Sequence, residues 1–484
     1  MLNGALIAGL LVLAGCGNNY RPVISAISPV GPAAQTQKYA VAISNPNAPG
    51  QSTLPGIVTV VDVSGDTTLV TPNIGVNPQY LILGGAGGTG YTINGDGTIS
   101  SFAISTTLMS NQVLTTTLPQ ATYNLTTCPL PASVNGALCL PTSIFPQGTY
   151  TYVTQPGPTP LVGQLAGSPP ALQQEISMIG ANPVFIAGVP SSPRVYAISK
   201  GPLATTGTTV YPTAPGTVAA INTTTNSVDS IIPVGTNPVY GVMTATMQRT
   251  FIMNQGVNNV PGMPNVPGSV TVINSQQNVL DTGTPPLPPA VAGNGTISDP
   301  YAVAANQGPV WADLAPMLNE LVVANVGTST SQGSVSIFNI PLCSTSALAN
   351  NTNCNPNNPI DAYNFGTLAA HVPVGINPMM VAVLQDSVNP MAYVINQGDS
   401  TVSVINLTTD TVVATIPVPA TPNPTFIAVT TAATAGTAGT GAPGKVYVTS
   451  STSKTMTVIR TDTNTVDTTM SLQGYGVQVR VTAP

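Results

Sequence analysis

One pattern recurs along this chain and limits what it can become. Seven segments of eight residues align: GIVTVVDV from Gly56, GTISSFAI from Gly97, GTVAAINT from Gly216, GSVTVINS from Gly268, GSVSIFNI from Gly333, STVSVINL from Ser400 and KTMTVIRT from Lys454. Each alternates apolar with small polar residues and is rich in Val, Ile and Thr, which is what a half-buried strand requires. A second strand precedes many of them, as in RVYAISK from Arg194, RTFIMNQG from Arg249, ELVVANVG from Glu320, MAYVINQG from Met391 and KVYVTSS from Lys445. A third follows, clearest in SVDSIIPVG from Ser227 and TVVATIPVP from Thr411. The next element opens on a Gly-x-Asn-Pro turn at Gly75, Gly180, Gly235 and Gly375, with Asp299-Pro300 and Asn423-Pro424 in the same role. Glycine tolerates positive φ and proline fixes φ near −65°, so the tetrapeptide reads as a rigid passage from one sheet to the next.

Four strands per unit, with units about 41 to 67 residues apart, predict an all-β chain folded as a single β-propeller of four-stranded blades. The interval from Pro78 to Pro183 is 105 residues long and holds strand material for two blades, so the count is eight, with seven as the alternative. The first blade, beginning KYAVAISN at Lys38, lacks an innermost strand, while Gly476–Val481 at the other end has no sheet of its own. The C-terminal strand is therefore expected to join the first blade.

The unit AYVINQGDSTVSVINLTTDTVVATIPVPATPNP, residues 392–424, resembles the YVTN repeat of surface-layer and YncE-like propellers, with Tyr393-Val394-Ile395-Asn396 at the tetrapeptide and Lys445-Val446-Tyr447-Val448-Thr449 echoing it. The resemblance covers roughly residues 38–484 and implies the propeller fold. It does not decide the function, because propellers host many.

Residues 1–15, MLNGALIAGLLVLAG, form an apolar run too short to span a bilayer, and Leu13-Ala14-Gly15-Cys16 matches the bacterial lipobox. These residues read as a lipoprotein signal peptide and Cys16 as the lipidated residue, although no Lys or Arg precedes the apolar run. A plain secretory signal is the competing reading. Each buried CH2 of an acyl chain contributes about 0.8 kcal/mol, so two or three chains tether a protein without help from its surface. Gly17, rather than Asp, after the cysteine implies the outer membrane under the enterobacterial sorting rule. Residues 16–37 read as the lipidated N-terminus and a spacer, and 38–484 as the propeller.

Charged residues make up 5% of the chain and the formal charge is −6, a weak field with no basic cluster, which argues against nucleic acid or acidic lipid as partner. Cys128 with Cys139 and Cys343 with Cys354 have equal spacing and, in an exported protein, read as two local disulfides. Neither the spacing of a zinc site nor that of covalent haem occurs, and no metal or cofactor is expected.

His371 is the single histidine, so a Ser-His-Asp arrangement has one place to form, and an exposed or locally bonded imidazole is the plainer reading. Asp62, Asp229, Asp410, Asp462 and Asp467 fall at strand ends or hairpins and read as turn caps. Trp311, in GPVWADLAPMLNEL, sits in a segment with helical periodicity through Leu314, Met317 and Leu318, expected as an insertion on the ring. Asp313, Glu320 and Glu175 are the carboxylates to examine for a site. Long connections at 128–139, 203–215, 257–267, 342–354 and 432–444 are candidate recognition loops. The expected function is that of a monomeric, lipid-anchored envelope propeller, a non-catalytic binding or structural module for a protein or glycan. The alternative, implied by the resemblance, is a lactonase-type hydrolase, which needs acidic, basic and histidine side chains gathered in the channel.

Overall fold

The structure, a computed structural model, describes residues 38–482 apart from 49–50, 52, 85–86, 118–140, 157–159, 179–181, 207–208, 259–263, 283–294, 329, 343–361, 363 and 431–443. Cys16 and the four paired cysteines lie outside the described residues.

Eight antiparallel sheets form an eight-bladed β-propeller. Blades 2 to 8 each run outward from an innermost strand: Pro78–Gly84, Ser143–Gln147, Asn182–Ala187, Pro238–Met243, Gly308–Ala315, Pro378–Leu384 and Pro424–Val429. Blade 1 is built from Tyr39–Asn45, Pro55–Asp62 and two short outer pieces, Thr67–Val70 and Asn73–Val76, and its innermost strand is the C-terminal Tyr475–Val481. That strand pairs antiparallel with Tyr39–Asn45, from Ala40 opposite Val481 to Asn45 opposite Tyr475. The interval from Pro78 to Pro183 holds two complete blades, which settles the count at eight.

The alternation seen in the repeat supplies both faces of every sheet. An apolar cluster lies between each pair of neighbouring blades, those on the two sides of blade 8 being continuous. The second and third strands are almost wholly buried, as in Met391–Asn396, whereas the outer strands show solvent one face, as in Thr411–Pro417.

Two polar devices recur with the repeat. The asparagine ending the second strand donates through Nδ2 to hydroxyls two residues apart on the third strand: Asn94 to Thr98 and Ser100, Asn254 to Ser269 and Thr271, Asn325 to Ser334 and Ser336, and Asn396 to Thr401 and Ser403, at 2.7 to 3.3 Å. Three positions before the asparagine's place in the repeat, a tyrosine hydroxyl donates to the left-handed residue of the outer hairpin in the next blade, and Tyr393 with Asn396 shows both devices on one strand. Tyr152 reaches Asn226, Tyr196 reaches Asn278, Tyr393 reaches Asn464 and Tyr447 reaches Asp66, at 2.6 to 3.0 Å. The first and last letters of the tetrapeptide therefore serve different joints: the tyrosine ties blade to blade, and the asparagine ties strand to strand.

Three expectations need correcting. In the Gly-x-Asn-Pro turn the residue with positive φ is the asparagine, at 54° for Asn77, 56° for Asn237 and 54° for Asn377, and not the glycine. The glycine is required by close approach: a Cβ on Gly235 would stand 2.7 Å from Asn254 Cγ in the next blade. Asp299-Pro300 is not a direct sheet crossing. Asp299 caps a short helix, Pro300–Ala304, by accepting from the N–H groups of Tyr301 and Ala302, and the next blade begins at Gly308. Nor is the segment around Trp311 a helical insertion. Gly308–Ala315 is the innermost strand of blade 6, and Leu318, whose N–H bonds the carbonyl of Ala315, lies in the hairpin that follows. Met317 at that turn is 58% exposed, so the apparent helical spacing joins a strand residue to two hairpin residues.

Removing Tyr475–Val481 would strip blade 1 of its innermost strand and uncover both flanking cores. A chain ending at Gly474 is expected to lose the compact, protease-resistant ring, measured by size-exclusion chromatography and limited proteolysis. Tyr393→Phe, which leaves the Asn464 acceptor without its donor, is expected to lower unfolding free energy by about 1 kcal/mol in urea titration.

Candidate functional site

The innermost strands line the centre of the ring and carry two charged side chains, Asp313 and Arg480. Around them the same strands bring aromatic rings together. Tyr240 stacks on Trp311 at 3.9 Å with 20° between planes, Phe185 packs against Tyr240 at 4.8 Å, and Trp311 meets the edge of Phe426 at 5.8 Å. The Arg480 guanidinium lies 4.6 Å from the Phe426 ring centre, a cation–π contact linking blade 1 to blade 8.

Both charged groups are engaged with backbone. The Asp313 carboxylate accepts the N–H of Val383 in the next blade and that of Leu314, each at 2.8 Å. Burial pushes its pKa up to about 6, opposed by those two bonds and by Arg480. Arg480 Nε donates to the carbonyl of Leu81 at 3.2 Å, while Gln478 Oε1 accepts the Leu81 N–H at 2.8 Å. Ser143 accepts from Ile186 N–H in the same fashion. These side chains satisfy strand edges that closure of the ring leaves without a ladder partner. Burial, then the charge of Asp313, holds the Tyr240 hydroxyl well above the usual phenol range.

His371 is elsewhere. It lies on the outer strand of blade 6, Leu368–Ile376, with Nδ1 2.7 Å from Asp299 Oδ2, and its ring packs against Tyr301. Ser336 donates to the same Asp299 oxygen at 2.6 Å. The carboxylate therefore stands between serine and histidine, whereas nucleophile activation needs the histidine in the middle. The group is a locally bonded joint that anchors the capped helix to blade 6.

The remaining carboxylates separate by role. Asp62 caps its turn, accepting from Ser64 N and Oγ. Asp229 pairs with Arg194 at 2.9 Å, Asp462 pairs with Arg460, and Asp467 lies 3.8 Å from Lys445, so these are ion-pair partners as much as caps. Glu175 is exposed on the outer strand of blade 3.

Glu320 and Asp410 mark a departure from the repeat. Counting back from Asn325 puts Val322 where the clasp tyrosine would be, and the left-handed residue of the facing hairpin is Asp410. Leu407 of that hairpin packs in one cluster with Ala315 and Leu318, beside Glu320. Glu320 Oε2 and Asp410 Oδ1 are both buried without a hydrogen-bond partner. Burial, then the neighbouring Asp410 charge, pushes Glu320 up to about 7, and burial raises Asp410 too. Sequence reasoning placed Glu320 among candidate site residues, but this missing tyrosine appears only when the blades are superimposed.

A cavity of about 160 Å3 opens where blades 4, 5 and 6 meet, lined by Tyr211, Asn237, Gln255, Asn258 and Asn306 among others, none of them charged. Two of the long connections foreseen as recognition loops, 203–215 and 257–267, contribute to it. Its amides escaped notice because Asn and Gln at turns read as backbone caps.

The fold and this geometry define an eight-bladed β-propeller with an aromatic-filled centre. No family model matches the chain, and no curated protein matches it. Among solved structures, AztD from Citrobacter koseri is similar at 12% identity with a TM-score of 0.50, over 92% of this chain and 98% of that one. Hydrazine synthase from Kuenenia stuttgartiensis is similar at 16% identity with a TM-score of 0.46, over 72% of this chain and 89% of that one. The AztD likeness is one of fold.

Glu320 takes up a proton more readily folded than unfolded, so its contribution is intact below the ordinary glutamate pKa and declines as pH rises toward about 7. The protein is expected to melt at lower temperature at pH 8 than at pH 5. After allowance for solvent screening the loss is on the order of 1 kcal/mol. Glu320→Gln should flatten that slope, as read by differential scanning calorimetry across the range.

Proposed function

We propose that this chain is a lipid-anchored cell-envelope propeller of the YVTN type that works as a non-catalytic binding module. The observation that carries the reading is the commitment of its few titratable groups. In the channel, Asp313 and Arg480 are tied to backbone groups of neighbouring blades. The single histidine is bonded to Asp299 on an outer strand. General acid–base chemistry needs a positioned group free to exchange a proton with a substrate, and these side chains serve the scaffold instead. YVTN membership is supported by the distinct jobs of Tyr393 and Asn396, which account for those letters of the motif. The tether rests on the lipobox ending at Cys16, and outer-membrane placement on Gly17.

Two measurements test this. Radiolabelled palmitate should enter the wild-type protein and not Cys16→Ala, with the wild type in the membrane fraction. The purified ring should hydrolyse lactones no faster than buffer. Lactone hydrolysis abolished by Asp313→Asn would establish the enzyme in place of the binding module.

A further inference from the structure

The two connections that border the cavity interrupt the repeat at equivalent places in successive blades. In blade 7 the second and third strands are joined by a short turn, Gln397 to Ser400. In blade 5 the same Asn-Gln-Gly, residues 254–256, runs instead into a loop closed on itself by the pairing of Val257 with Val266, their N–H and C=O groups bonded both ways at 2.9 and 2.8 Å. In blade 4 the corresponding connection forms a hairpin of its own, Leu203–Thr206 with Thr209–Pro212. Tyr211 from the hairpin and Val257 and Asn258 from the loop line the cavity.

The floor belongs to the repeat, and only the walls are added. Asn237 Nδ2 donates to Gln255 Oε1 at 2.9 Å and to the Gly256 carbonyl at 3.2 Å. Blade 7 has the same amide pair, Asn377 to Gln397 at 2.9 Å, without the walls. Asn237 Oδ1, like Asn182 Oδ1 at the corresponding turn into blade 4, is buried without a hydrogen-bond partner, so the orphaned acceptor belongs to the turn and the walls are what distinguish this copy.

We propose that this cavity binds an uncharged sugar, one hexose ring of a neutral glycan; the inference rests on the reading of the ring as a binding module. With no charged group in the lining, an anion or ammonium entering it would be desolvated without a counter-charge. Planar amides offer a donor and an acceptor side by side, which matches neighbouring hydroxyls that each do both. The Tyr211 ring adds an apolar surface beside a polar tip, suited to a molecule with one C–H face and a polar rim. The space, about 160 Å3, is below the usual range for drug-sized ligands, about 300–1,000 Å3, and suits a single small ring.

The test uses the full chain and methyl glycosides of glucose, galactose, mannose and N-acetylglucosamine, followed by saturation-transfer NMR and calorimetric titration. At least one should bind at millimolar concentration. Asn258→Ala should weaken it about tenfold with unchanged melting temperature, and Gln255→Ala about tenfold with the small drop in melting temperature that losing its bond from Asn237 entails. The blade 7 control Gln397→Ala should bind as wild type. The inference is overturned if no glycoside binds, if binding survives both cavity substitutions, or if Gln397→Ala weakens it equally. Those results would leave the tethered, non-hydrolytic module intact, whereas cleavage of a bound glycoside would overturn the module reading itself.

Discussion

Every sheet in this ring buries both faces against neighbours, so no blade is complete until the ring closes. Closure depends on one antiparallel pairing, Tyr475–Val481 against Tyr39–Asn45, made between residues far apart in sequence. The junction where the two ends meet is reinforced beyond the others. Asp66 of blade 1 accepts the Tyr447 hydroxyl and pairs with Lys445 Nζ from blade 8, and these two side chains are each 10% exposed. A partly buried ion pair gives strength only when its geometry and remaining hydrogen bonds are good, and the tyrosine supplies one of them. Inside the ring, Gln478 and Arg480 carry the contact on to Leu81 of blade 2. The last strand thus touches blades on both sides as well as completing its own.

Holding such a ring with few charges requires neutral hydrogen bonds at repeated positions. The asparagine ladder satisfies the Nδ2 group of a buried amide with two hydroxyls of the same blade, and the tyrosine clasp satisfies a hairpin oxygen of the next. Apart from the clasp on Asp66, neither needs an ion taken from water, whose desolvation offsets much of what a buried charge pair returns. Blade 5 is the exception. Phe251 replaces the clasp tyrosine and stacks on Phe365 of blade 6, while Arg249, 1% exposed, pairs with Asp281 in the same blade and lies over the Phe365 ring. The joint there is apolar and ionic where the preceding one, Tyr196 to Asn278, uses a hydroxyl.

How much could be read from sequence follows from what is local. Strand alternation, the Gly-x-Asn-Pro turns and the orphan strand at Gly476–Val481 are local or paired signals, and they led to the sheets, their order and their closure. The segment at Trp311 misled because a strand residue and two hairpin residues happened to fall at helical spacing. Asp299-Pro300 misled because one dipeptide serves both as a turn and as a helix start. The role of the turn glycines was hidden because it depends on a side chain in the next blade. The site was less legible than the fold for the same reason. Asp313 was noted as a carboxylate, yet its engagement with Val383 is a relation between blades that no residue pattern carries.

The regularity that stabilises the ring also restricts where recognition can arise. At its centre, rings from blades 4, 5, 6 and 8 pack on one another and spend much of their apolar surface on the scaffold. Selectivity must then come from places where one blade differs from its copies. Two such places have clear physical character: the blade 6 to 7 junction, where Glu320 and Asp410 replace a clasp, and the walled amide pair of blade 5. The first departs by losing a donor, which makes the joint sensitive to protons. The second keeps the shared amides and adds walls, which turns a structural contact into a walled, uncharged surface. Only the second leaves room for a ligand, and it does so without disturbing the closure on which the ring depends.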